Sequence, residues 1–238
     1  MGITSQLKEI SLATFERLKK EPALVEAFLS AKWLPESTFW ETATHWPAAS
    51  AELIKRNCET AFFRIPSLRE QFVSEWETPD LYLNKNFQQL TFLLAGYIPG
   101  YIFDRATIPE IKANTYLMAK AKGEDFFPFL VIDNSRWDGL PLVNAIGAGA
   151  EIGYSTGYEA VRYLLPDEIT RILNGLVALG EQGFQSRYLR EADRDEPISW
   201  IDWAEEEILE WLTDYYNEML NYYQKVSADR NAMLVYLS

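Results

Sequence analysis

The final apolar run, residues 232–237 (AMLVYL), constrains the fold more than any other stretch of the chain. Six apolar residues in an unbroken row, too few for an average helix, read as a strand covered on both faces. Such a strand lies inside a sheet and needs a neighbour on each edge. Residues 2–10 (GITSQLKEI) alternate, with Ile3, Ser5 and Leu7 on one side, and supply one neighbour. Residues 142–146 and 161–165 read as further strands in the middle of the chain. Strands drawn from both ends and the middle must meet in space. The expectation is therefore a single α+β domain over residues 1–238, with a mostly antiparallel or mixed central sheet packed by several helices.

Helical patterns fill the intervals. Ser11 is placed to cap a helix whose apolar face is Leu12, Phe15 and Leu18, and Pro22 restarts the chain into a second helix over 23–31. Residues 48–63 and 66–76 read as two more helices. Residues 81–96 space Leu83, Phe87, Leu90 and Leu94 three or four apart, with Gly96 as the stop. A further helix opens at Pro109, an edge or irregular strand covers 126–132, and 133–139 is a loop. Pro166-Asp167-Glu168 opens a helix with its acids at the positive end of the dipole, and Ile169, Ile172, Leu173, Leu176 and Leu179 form its stripe. A charged connection over 180–197 leads to a long helix over 199–226, whose stripe is Ile201, Ala204, Ile208, Leu212, Tyr215, Met219, Tyr222 and Val226.

Charge and composition close off several function classes. With 35 acids against 22 bases, the net charge is −13, which disfavours the phosphates of nucleic acid and an anionic membrane surface alike. Among macromolecules, a basic protein is the complementary partner, and nothing excludes a homo-oligomer. No apolar run reaches the length of a membrane span, no signal peptide opens the chain, and a cytoplasmic location is the expectation. Cys58 is the one cysteine and His45 the one histidine, so an internal disulfide and the usual zinc constellations are ruled out. No catalytic residue, metal ligand or cofactor is assigned.

The glycine-rich passage around Gly147, Gly149, Gly153 and Gly157 invites a phosphate-loop reading but misses the G-x-G-x-x-G spacing, and no base lies near before Arg162. Glycine for turns and close backbone approach is the better account. Trp33, Trp40, Trp46 and Trp76 could form an aromatic binding surface; as large aromatics they read first as packing residues.

Four motifs, taken in order, resemble the YfbM-like family of uncharacterised bacterial proteins. The N-terminal strand ends in Glu9-Ile10, and Lys85, Phe87, Leu90, Thr91, Leu94 and Gly96 follow the family's Lys-x-Trp-x-x-Leu-His-x-x-Leu-x-Gly helix. Pro141-Leu142, Ala145-Ile146-Gly147, Arg162-Tyr163-Leu164 and Pro166-Asp167-Glu168 are similar to its central block, and the long helix closes on a short apolar strand. Residues 33–79 and 180–199 look like additions. The resemblance implies an α+β fold and no established activity. Thr91, Phe87 and Asn84 stand where the family has His, Trp and Asp, so any chemistry of that His is missing here.

One charge pattern stands apart. Between Asp195 and Gln224 lie nine acids and no base, so −9 of the −13 falls in thirty residues. Asp202, Glu206, Glu210, Asp214 and Glu218 recur at i, i+4 and wind slowly round one side of the last helix. Like charges at that spacing cost about 0.2–0.5 kcal/mol per pair. A solvated face, a docking face for a basic partner and a carboxylate metal site all remain open; the last lacks the usual Glu-x-x-His. The expected function is non-catalytic contact with a basic protein through these five acids, in an immunity- or inhibitor-like role. The alternative is a small-ligand binder or enzyme with an aromatic-lined pocket near residues 133–138.

Overall fold

The computed structural model describes residues 4–95, 142, 145–146, 149–158, 160–192 and 206–238. In chain order these form β1 (Ser5–Ile10), α1 (Leu12–Lys20), α2 (Leu24–Ala31), α3 (Phe39–Thr42), α4 (Ala48–Phe62), α5 (Arg69–Glu75) and β2 (Asp80–Tyr82). There follow α6 (Phe87–Ala95), β3 (Ala150–Ser155), β4 (Ala160–Leu164), α7 (Pro166–Ala192), α8 (Glu206–Asp229) and β5 (Ala232–Leu237).

The sheet has the order β2-β1-β5-β4-β3, and every pairing is antiparallel. β5 is interior, as its unbroken apolar run requires. It pairs with β1 from Ser5↔Leu237 to Ile10↔Ala232, and with β4 from Arg162↔Val235 to Leu164↔Met233. Successive side chains of a strand point to opposite faces, so β5 feeds two cores. Met233 and Val235 join Leu7, Leu164 and the apolar faces of α6, α7 and α8. Ala232, Leu234 and Tyr236 join Ile10, Ile152 and Val161 under α1, α2, α4 and α5. The result is a sheet between two layers of helices.

Local chemistry accounts for most element boundaries. Ser11 caps α1 through Thr14 N, and the Glu75 carboxylate accepts from Ser11 N at 2.8 Å and Ser11 Oγ at 2.5 Å, tying the start of α1 to the end of α5. Leu12 falls on the outer side of α1 and is exposed; Thr14 takes its place beside Phe15 and Leu18 in the buried face.

Three sequence expectations are corrected. The helix expected from residue 81 begins at Phe87, because Leu81 pairs with Leu7 in a short edge strand and shares its core. Asn84 then adopts φ 52, the left-handed region, and a 3₁₀ turn over Asn84–Asn86 leads into α6. Spacings of three and four suit a strand plus a turn as well as a helix, and strand pairing decided it. The strand expected over 142–146 is a turn at its described positions, with Ala145 N bonded to Leu142 O at 3.3 Å; Leu142, Ala145 and Ile146 are buried at helical spacing. The strand lies at Ala150–Ser155 instead. The helix opened by Pro166 does not end at Leu179. Gly180 leaves helical geometry (φ 63, ψ 165), yet the chain resumes its helix at once because Phe184 and Tyr188, one turn apart, both reach the core. The helix, strand and loop expected at 109–123, 126–132 and 133–139 lie outside the described residues, as does the start of the last helix before Glu206.

Gly149 bears out the structural reading of the glycines. It adopts φ +125, and a Cβ there would stand 2.5 Å from the Tyr163 carbonyl oxygen, a backbone atom of β4 that cannot give way. Gly149→Ala is expected to lose about 2–3 kcal/mol, read as a lower urea midpoint with an unchanged slope.

Candidate functional site

α8 is a helix with two contrasting sides. Leu212, Tyr216, Met219, Tyr223 and Val226 recur at three and four residues and are buried against the sheet and α7. Two of them anchor through hydroxyls: Tyr216 OH donates to Leu176 O and Tyr223 OH to Ala145 O, each at 2.7 Å. Tyr222 OH accepts from Glu9 N at 2.6 Å. Burial pushes all three phenols upward, so the anchors stay protonated donors through the neutral range. Tyr216 and Tyr223 were absent from the stripe expected from sequence, which named Tyr215 and Tyr222; the buried arc is wider than one residue per turn.

The outer side carries the acids. Glu210, Asp214 and Glu218 are exposed at successive i, i+4 positions, with Glu207 exposed one turn before Glu210–Trp211. Of the five acids singled out from sequence, these are the three whose side chains the structure describes; Glu206 opens α8, and Asp202 lies outside the described residues. Sequence spacing did not reveal what faces them. Glu181, directly after the Gly180 break, stands across from α8 and accepts from Asn217 Nδ2 at 2.9 Å and Gln185 Nε2 at 3.1 Å. Between α7 and α8 is an open cleft of about 630 Å³, lined by Glu181, Glu207, Glu210 and Asp214 with Gln185, Thr213 and Asn217 among them. Among the described residues, four carboxylates and no base line it. Beside it Trp211 is 46% exposed and packs edge-on to Tyr215, with ring centroids 5.5 Å apart. The first base along α8, Lys225, is turned away to Glu9 and Asp229.

Such a cleft attracts cations and gives a basic side chain several acceptors at once. The acids are not gathered as metal ligands: among the described residues no group of three or more His, Cys, Asp and Glu could hold a metal ion.

The other candidate residues fall elsewhere. His45 is exposed beside the Trp46 ring, and Cys58 is half-buried in α4, its thiol pushed up by burial. Trp33, Phe39, Trp40 and Trp46 pack against one another with centroids 4.5–6.2 Å apart, and Trp40 Nε1 is bonded to Trp33 O and Leu34 O. Trp76 is buried, its Nε1 donating to Phe28 O at 2.8 Å. The tryptophans are thus packing residues around α2–α5. The loop at 133–138 lies outside the described residues. Among the described residues no helix is long and apolar enough to cross a membrane.

A family model described as Domain of unknown function (DUF1877) matches residues 1–236. Among solved structures, the protein of unknown function YfbM from Escherichia coli is similar over 99% of this chain and 99% of its own, at 10% identity and a TM-score of 0.45. No curated protein matches. The family match agrees with the YfbM-like resemblance carried by the motifs.

Proposed function

The chain belongs to the family described as Domain of unknown function (DUF1877), and on that premise we propose that it acts without catalysis, by docking a basic protein partner on the acidic cleft between α7 and α8. An inhibitor or immunity role is the concrete form of this reading. The observation that carries it is the cleft itself: three carboxylates of α8 and Glu181 of α7 line it, with no base among the described lining residues. Repulsion of this kind costs stability in the free protein and is relieved when a cation enters. Glu218, exposed one turn past Asp214, carries the same charge along α8 beyond the cleft.

The test compares the intact chain with a Glu210→Lys/Asp214→Lys/Glu218→Lys variant, each immobilised and exposed to lysate at low and high salt. Proteins held by the acidic face are expected on the intact chain at low salt, reduced about tenfold or more at high salt, and missing from the variant. Circular dichroism should show the variant folded, since all three positions are solvent-facing. An identical set of captured proteins on both chains would sink the proposal.

A further inference from the structure

Trp211 is a large aromatic side chain that belongs to neither hydrophobic core. It is 46% exposed, and its ring meets only the edge of Tyr215 among the described aromatics. A single apolar side chain at a surface is ordinary. The setting of this one is not. Glu207 stands one turn before it on α8, Asp214 one turn after and Glu218 two turns after, all three exposed. Glu207, Trp211, Asp214 and Glu218 thus recur at i, i+4, i+7 and i+11 and share one side of the helix. Glu207 and Asp214 also line the acidic cleft, so the stripe runs along its margin.

Indole rings elsewhere in the chain already hold cations of its own. Lys8 Nζ lies 4.7 Å from the centre of the Trp76 ring, Lys55 Nζ 4.8 Å from that of Trp40 and Lys32 Nζ 5.6 Å from that of Trp33. Among the described residues no such cation lies over Trp211, although acids flank it on both sides. An indole face attracts a cation more strongly than any other aromatic ring does. The two basic side chains use such a face differently. A lysine ammonium is a compact, strongly hydrated point charge; a guanidinium is planar, lies flat on a ring and still turns its edge N–H groups outward to carboxylates. A ring with carboxylates one turn before and one turn after offers that edge acceptors in two directions.

Resting on the docking reading above, we propose that the basic partner is held there by an arginine whose guanidinium stacks on Trp211 and donates to Glu207 and Asp214. The acids supply attraction for any base, and Trp211 is the residue that selects arginine over lysine.

Binding of labelled hexa-arginine and hexalysine peptides to the full chain at low salt, followed by fluorescence anisotropy, tests this. The intact chain is expected to bind hexa-arginine about fivefold more tightly than hexalysine. Trp211→Leu keeps an apolar side chain and removes the ring. It should weaken hexa-arginine about three- to fivefold and change hexalysine by less than about twofold, which removes most of the preference. Trp211→Phe, with a weaker ring face, should fall between the two. Both variants should unfold near the parent's melting temperature, because Trp211 lies outside the cores. Equal binding of the two peptides by the intact chain, or a preference that survives unchanged in Trp211→Leu, overturns the assignment of arginine to Trp211 and leaves the docking reading in place. The Glu210→Lys/Asp214→Lys/Glu218→Lys variant keeps the two apart: it is expected to lose both peptides. If it binds both as tightly as the intact chain, or if the intact chain binds neither, the docking reading fails and the role of Trp211 falls with it.

Discussion

Deleting residues 232–238 is expected to leave a chain with no cooperative unfolding transition. β5 is paired along its whole length to β1 and over three residues to β4, so its removal splits the sheet and opens two long edges at once. Met233, Leu234, Val235 and Tyr236 are all buried, two on each face. At about 1.5–3 kcal/mol for each large side chain, their burial amounts to about 6–12 kcal/mol. That matches the whole stability of an ordinary domain, about 5–15 kcal/mol. Urea titration followed by circular dichroism should show a sigmoidal transition in the full chain and a featureless slope in the truncated one. Deleting Ser238 alone, which removes the terminal pairing with Thr4 and the Gln6 Nε2 bond to the Ser238 hydroxyl, should leave the transition within about 1 kcal/mol of its original position. A truncated chain with a sharp transition would show that the helical layers hold together without their shared strand.

The frame of the fold was legible because β5 is apolar at every position and β1 alternates beside it; burial on two faces leaves no other reading for so short a run. Leu81 and Leu142 were misread for one physical reason. Both belong to apolar sets whose spacing fits more than one local structure, and the choice was made by distant partners: Leu7 for Leu81, and Gly175 for Leu142, whose side chain occupies the space a Cβ on Gly175 would need. Gly180 announced an interruption, and the structure has one, but Phe184 and Tyr188 carry the helix on past it. The acidic side of α8 was legible as charge. The cleft was not, since Glu181 comes from α7, and no spacing within α8 reveals what stands across from it.

Stability is expected to climb between about pH 8 and pH 10, and Lys8 is the cause. Lys8 is fully buried, on the face of β1 covered by α1, α2, α4 and α5; its Nζ donates to Thr78 O at 2.5 Å and Thr78 Oγ1 at 2.9 Å, and lies 4.7 Å from the Trp76 ring centre. Asp80, Glu9 and Glu75 favour the ammonium and Lys32 opposes it, but burial outweighs them all and pulls the amine from 10.5 down to about 8. Between those values the unfolded chain holds a proton that the folded chain has released, so stability rises with pH, by about 3 kcal/mol over the full interval. Other groups bend the curve back. The Cys58 thiol, raised by burial from 9.0, opposes the rise once the unfolded thiol ionises, and the buried phenols of Tyr222, Tyr223 and Tyr236 do so above pH 10. The maximum should therefore fall near pH 10. Lys8→Met keeps the length of the side chain and removes the charge. Its urea midpoints at pH 7, 8, 9 and 10 are expected to lack the rise. At pH 7 it should be no less stable than the parent by more than about 1 kcal/mol, because the desolvation avoided offsets the lost bonds to Thr78. Parallel curves for the two proteins would assign the pH dependence to some other group and leave the Lys8 ammonium stably charged inside the fold.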